Sequence, residues 1–295
     1  MGNYAKSLDK LRSSALGAAT VRAFATLEVD ALIRNPDYLA MQFLDTPFTG
    51  QDALPNFKRQ LDQILPGAYH FQNARTLHID ACITRAINDG YQQIVMLGAG
   101  FDTRAYRLEN TAQVQFIEVD LLSLQVEKKQ KVARVLGGLP ANVAYVPLDF
   151  NTQSLISLLE TDVFDASKPT YFNWEGVSYY LNSKGVDATL QFVAKHASPG
   201  SKIVFDYMPQ SMINGSVDFY GGAESRSYMA KLGEPVIFGI PDGSINSFLE
   251  SRGLTVCEDL DPDQLAQRYL RRADGSIDGQ VAGYIRMVEA ANRLS

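Results

Sequence analysis

The stretch 93–120, QIVMLGAGFDTRAYRLENTAQVQFIEVD, decides the reading of this chain. A short apolar run (Ile94, Val95, Met96, Leu97) enters a turn built on Gly98, Ala99 and Gly100. A second run (Val114, Phe116, Ile117, Val119) ends on the acids Glu118 and Asp120. Strand, glycine turn, crossover and a strand ending in a carboxylate make the opening βαβ unit of a nucleotide-binding α/β sheet. An acid about 20 residues past the first glycine is where such folds hold ribose hydroxyls.

The same alternation continues outward. Strands are expected at 93–98, 114–119, 143–148, 170–174, 201–207 and 253–258, and helical patterns at 121–136, 152–160, 183–197 and 243–252. Strands alternating with helices imply right-handed crossovers and a mostly parallel sheet covered on both faces. The segment 280–289 is strand-like, follows 253–258 by a loop alone, and is placed to pair antiparallel at or near the sheet edge. Upstream, a helix is expected over 16–33, stopped at Asn35-Pro36, then a loop over 45–55 and a helix from about Asn73 to Asn88 that ends at Gly90. No linker separates these parts. Residues 1–72 read as a helical cap continuous with a core domain of residues 73–295. Between the fifth and sixth strands, residues 208–241 read as an irregular insert whose aromatics (Phe219, Tyr220, Tyr228, Phe238) suit a substrate lid.

Composition narrows the function classes. Of 295 residues, 46% are hydrophobic and 20% charged, as in an ordinary globular protein, and the net charge of -6 argues against a nucleic-acid partner. Cys82 and Cys257 both fall in apolar stretches and read as buried thiols of a reducing compartment. The N-terminus has no signal-peptide core, no run is long enough to span a membrane, and a cytoplasmic location is expected.

In open α/β sheets, ligands bind beyond the carboxyl ends of the strands. Those ends carry Asp102, Glu118 with Asp120, Asp149 and Glu175, and Asp206 lies within the fifth strand. The implied pocket is electronegative, which bears on the cofactor. A dinucleotide would seat its pyrophosphate at the first turn, but Thr103 replaces the third glycine of G-x-G-x-x-G and Asp102 stands where phosphates would approach. Like charges about 4 Å apart cost about 1–4 kcal/mol. S-adenosylmethionine has no phosphate; it carries a sulfonium and an ammonium, which suit carboxylates, and one carboxylate, for which Arg75 or Arg104 is the nearest cation in sequence. A G-x-S-x-G elbow and a P-loop are both missing. The histidines His70, His78 and His196 show no metal-ligand spacing, and no metal is expected.

The strings LGAGFDTRAYRL (97–108), FIEVD (116–120), Lys128-Lys129, VPLDF (146–150), NWEGVSYYL (173–181) and SPGSKIVFDY (198–207) resemble the leucine carboxyl methyltransferase-like family, whose bacterial branch comprises polyketide-type O-methyltransferases. The resemblance runs from about Arg75 to the C-terminus and is weakest over the first 70 residues. It implies a class I, Rossmann-like methyltransferase fold: a seven-stranded sheet with one antiparallel strand, a helical cap and a lid after the fifth strand. It also implies S-adenosylmethionine as donor, leaving S-adenosylhomocysteine. Carried onto this chain, it places Arg75 at the methionine carboxylate, Gly98 in the first turn, Asp120 at the ribose, Asp149 with Phe150 around the adenine, and Glu175 at the methionine ammonium. Ala99, Gly100, Asp102 and Leu121 complete the expected cofactor set. Glu118 competes with Asp120 for the ribose, since side chains two apart share a strand face.

For catalysis, a carboxylate acceptor needs no base, whereas a hydroxyl usually does. Tyr180, close after Glu175, and His70, in the turn before the Arg75 helix, are the catalytic candidates. The expected activity is O-methylation of a carboxylate or hydroxyl on a small, polyketide-type molecule. The alternatives are methylation of a protein C-terminal carboxylate, nicotinamide-dependent oxidoreduction, and a non-catalytic cofactor-binding module.

Overall fold

A computed structural model describes residues 2–44, 50 and 52–292, with side chains from residue 14 onward. The expected loop over 45–55 therefore lies partly outside the described residues. The chain opens with helix α1 (Gly2–Ala25), a short turn α2 (Ala40–Phe43), α3 (Ala53–Ile64) and the long α4 (Ala68–Asn88). Strand β1 (Gln93–Leu97), a single helical turn α5 (Arg104–Arg107), β2 (Gln115–Asp120), α6 (Leu122–Leu136), β3 (Val143–Pro147) and β4 (Thr170–Trp174) follow. Then come α7 (Ser183–Lys195), β5 (Lys202–Tyr207), α8 (Gln210–Asn214), α9 (Gly222–Leu232), α10 (Ile245–Glu250), β6 (Leu254–Leu260), α11 (Pro262–Tyr269) and β7 (Arg286–Asn292).

The seven strands form one sheet in the order β3-β2-β1-β4-β5-β7-β6. The first five pair in parallel, and β7 runs antiparallel between β5 and β6. Strand order reverses between β1 and β4, and a crevice opens at such a switch point. β1 and β4 are buried along their whole length. This matches their continuous apolar sequence, because helices cover both faces of a parallel sheet.

Several local expectations are corrected. The first helix ends at Ala25, because the chain folds back and the Asn35 N–H bonds the Ala25 carbonyl at 3.1 Å. Helix α4 begins at Ala68, five residues before Asn73, on a left-handed Gly67 (φ 74°) whose Cβ would stand 2.5 Å from the Ala282 nitrogen. It runs unbroken across residues 72 and 73. Residues 155–160 form a 3₁₀ turn rather than an α-helix. The connection from β6 to β7 is not a bare loop. Asp261 and Gln264 form a capping box with Pro262 at the helix start, and α11 follows. The apolar run 280–285 is packing rather than strand: Ala282 and Gly283 donate backbone bonds to Gly67 and Tyr220.

Of the two cysteines, Cys82 is buried as expected, but Cys257 is exposed. The pairing of edge strand β6 slips between Val256 and Glu258, turning Cys257 outward. No described helix is long and apolar enough to cross a membrane.

His78, in α4, is 1% exposed. Its Nδ1 lies 2.9 Å from the Tyr269 hydroxyl, joining α4 to α11. Burial depresses its pKa from 6.5 to about 4, so the folded state favours the neutral ring. Its contribution is complete above pH 6.5 and is lost as pH falls toward about 4. Unfolding midpoints measured across that window should fall for the wild type and fall less for His78→Gln.

Candidate functional site

At the carboxyl ends of β1, β2 and β4 a cavity of about 570 Å³ is walled by α1 and α4 on one side and by the 208–241 insert on the other. Each element brings residues for a local reason. Gly98 and Gly100 take positive φ (70° and 42°), which lets the chain turn sharply off β1. A Cβ on Gly98 would lie 2.4 Å from the Val177 side chain, so the turn and the loop after β4 close on each other only with glycine there.

Asp120 ends β2 with both oxygens fixed. Oδ2 accepts from the Gly100 N–H at 2.5 Å and Oδ1 from the Leu121 N–H at 2.6 Å. Each oxygen retains a lone pair. Burial raises the Asp120 pKa, opposed by these two donors. Glu118, two residues earlier, does not line the cavity. It is buried behind β2, 2.8 Å from the Lys128 ammonium, and accepts from the Tyr106 hydroxyl at 2.8 Å. This pairing removes it from competition for the ribose. A lysine two turns along the following helix was the available signal.

Glu175, just past β4, sits between two guanidiniums. Arg104 Nη1 lies 2.6 Å from Oε2 and Arg75 Nε 3.0 Å from Oε1. Burial alone would raise its pKa, but Arg104 and Arg75 hold it down to about 2, so it is ionised throughout the physiological range. Arg104 bonds Asp80, Asp102 and Glu175 and does not line the cavity. That excludes it as the cation for a cofactor carboxylate. Arg75 does line the cavity, braced by Asp206, Glu175 and the Gln72 side chain.

The expected residues Arg75, Gly98, Ala99, Gly100, Asp102, Asp120, Leu121, Asp149, Phe150 and Glu175 all reach this cavity, as does Tyr180. His70 does not. Its Nε2 is 3.8 Å from Asp278 and its ring lies against the Gly279 backbone, where a Cβ would come within 2.2 Å of Nε2. Of the insert's four aromatics, Tyr228 alone lines the cavity. Phe238 packs on Phe248 instead, and Tyr220 packs on Gly67 and Gly283. Sequence reasoning missed Arg22, Gln72, Asn173, Tyr284 and Glu234, which also form the lining.

The chemistry of this set suits a cationic nucleoside. Five acids (Asp102, Asp120, Asp149, Glu175, Glu234) and two bases (Arg22, Arg75) line the cavity among the described residues. The Asn173 Oδ1 is buried there without a hydrogen-bond partner, an acceptor positioned for a donor that the chain does not provide. Replacing Arg104 would take from Asp102 its guanidinium partner and from Asp80 and Glu175 one of the two guanidiniums each of them holds. Arg104→Met should cost about 3–5 kcal/mol, read by chemical denaturation.

Known proteins place this geometry. The family model for leucine carboxyl methyltransferase matches residues 15–194. A putative S-adenosylmethionine-dependent methyltransferase of Bacillus subtilis is 31% identical over 73% of this chain and 71% of its own. One from Mycolicibacterium gilvum is 29% identical over 75% and 72%. In fold, the chain is similar to a DUF574-family protein of Streptomyces avermitilis (TM-score 0.60, 14% identity, 93% of this chain and 96% of that one). A putative methyltransferase of Thermobifida fusca is also similar (TM-score 0.58, 14% identity, 93% and 94%). The expected class I fold is thus present, and the chain belongs to the leucine carboxyl methyltransferase family of S-adenosylmethionine-dependent methyltransferases.

Proposed function

We propose that this chain transfers the methyl group of S-adenosylmethionine to an oxygen of a small, largely apolar molecule of polyketide type. The observation that carries the donor half is Asp120, whose two oxygens are held by backbone N–H groups with lone pairs left for a pair of vicinal hydroxyls. S-adenosylmethionine supplies a methyl on a sulfonium, already activated for in-line displacement. The protein's work is to bind, align and exclude water.

In this reading Asp120 holds the ribose. Asp149 and Phe150 frame the adenine, and the Gly98–Gly100 turn admits close backbone approach. Glu175 and the Asn173 oxygen meet the ammonium. Arg75 takes the methionine carboxylate with its remaining donor capacity; its other contacts keep it from swinging out. Tyr180 orients the acceptor. The apolar half of the cavity, formed by Leu61, Leu65, Phe71, Met229, Leu232 and Ile237, supports a small-molecule acceptor.

A second reading follows from the family's name: the acceptor would be the terminal carboxylate of a protein. Incubation with labelled donor separates the two, since label would then appear on protein rather than in the organic extract.

Thermal unfolding with S-adenosylmethionine, S-adenosylhomocysteine, NAD and NADP tests the donor. A ligand at 100 times its dissociation constant stabilises by about 2.7 kcal/mol, or several degrees. Shifts with the two sulfur nucleotides alone are expected; shifts with NAD or NADP would overturn the reading. Asp120→Ala should weaken S-adenosylhomocysteine binding by about 1.5 kcal/mol or more, roughly tenfold, in calorimetric titration.

A further inference from the structure

Two side chains of α4 steady Arg75 from its own helix. Phe71, one turn back, sets its ring centre 5.1 Å from the guanidinium carbon. Gln72, three residues back and so on the same helix face, lines the cavity and is 7% exposed. Its Oε1 accepts from Arg75 Nη2, and its Nε2 donates to Glu175 Oε1 at 3.4 Å. Arg75 Nε lies 3.0 Å from that same Glu175 oxygen. Guanidinium, carboxylate and carboxamide thus close a ring between α4 and the loop after β4.

The ring leaves Arg75 one direction in which to bond. A guanidinium has five N–H groups. The Arg75 Nε–H faces Glu175, Nη1 is taken by Asp206 and by the Tyr179 hydroxyl at 3.5 Å, and one Nη2 N–H goes to Gln72. The N–H left over is on Nη2, the nitrogen that Gln72 holds. Glu175 Oε1 is likewise turned by Gln72, while Arg104 holds Oε2 at 2.6 Å. A carboxamide suits this place because one end accepts from the cation and the other donates to the anion. A glutamate at 72 would set two carboxylates against each other, and an apolar residue would hold neither group.

We propose that Gln72 is a positioning residue for the amino-acid end of the methyl donor. It aims the remaining Arg75 N–H at the donor carboxylate and keeps Glu175 turned to the donor ammonium. The site thereby selects a nucleoside thioether that carries a free α-amino acid over one that lacks it. This assignment rests on the methyl-donor reading above.

The test is calorimetric titration of the full chain with S-adenosylhomocysteine and with 5′-methylthioadenosine, which share adenosine and thioether and differ in the amino acid. The wild type should bind S-adenosylhomocysteine at least about tenfold more tightly. Gln72→Met should cut that affinity about tenfold, the scale of lost hydrogen bonds to charged groups, and leave 5′-methylthioadenosine within about twofold. Gln72→Glu keeps an acceptor for Arg75 but loses the donor for Glu175, and it should not restore the affinity. If Gln72→Met does not fold, the ratio of the two affinities is read on Gln72→Glu, where it should fall likewise. A merely structural role would weaken both ligands alike. That result, an unchanged ratio, wild-type affinity in Gln72→Glu, or equal binding of the two ligands by the wild type would overturn the assignment. Wild-type protein that binds neither ligand is a separate result, and it would fell the donor reading itself.

Discussion

Everything at the mouth of the sheet depends on a chain of buried ion pairs beneath the cavity floor. Starting in the cap, Arg22 pairs with Asp37, Asp37 with Arg107, Arg107 with Asp80, and Asp80 with Arg104. Arg104 then reaches Asp102 and Glu175, Glu175 reaches Arg75, and Arg75 reaches Asp206 on β5. Burying any one of these charges alone would be prohibitive, whereas shared among partners each is tolerated. The network therefore fixes the relative positions of α1, α4, the turn after β1, the loop after β4, and β5. It also leaves the floor negatively biased, because the carboxylates outnumber the guanidiniums.

The sheet was legible because its strands are buried on both faces and announce themselves as apolar runs. Six strands fall within two residues of their expected limits. The seventh was expected over 280–289 and lies at 286–292, since burial against the cap and insert writes the same apolar pattern as burial in a sheet. Helix α11 was missed although its capping box and proline are local signals; only eight residues long, it buries just Leu265 and Ala266. Helix α1 was shortened at its start and overrun at its end because its sequence has no dominant face.

The strand-end lining of the cavity was readable because strand ends are positions in the sequence, and the fold converts those positions into one crevice. Glu118 and His70 show the limit of that logic. Both are the right residue type near the right place, yet Lys128 on the following helix and Asp278, far along the chain, draw them elsewhere. The rest of the lining follows no such rule. Leu61 and Leu65 come from the cap, Glu234 from the insert, and Tyr284 from the run before β7. Only tertiary packing brings these together.

The two hydrogen bonds that the Ile237 and Phe238 N–H groups donate to the Tyr179 carbonyl, at 2.8 and 3.2 Å, have a wider consequence. Tyr179 also places its hydroxyl 3.2 Å from Asp206, within the charged floor. One residue thus anchors the variable wall by its backbone and the fixed floor by its side chain. Under the proposed function, sequence drift between Tyr228 and Ile237 would reshape one wall of the cavity while leaving the strand-end residues untouched. The fold is in this sense modular at the scale of ten residues, its variable wall hung on a single carbonyl.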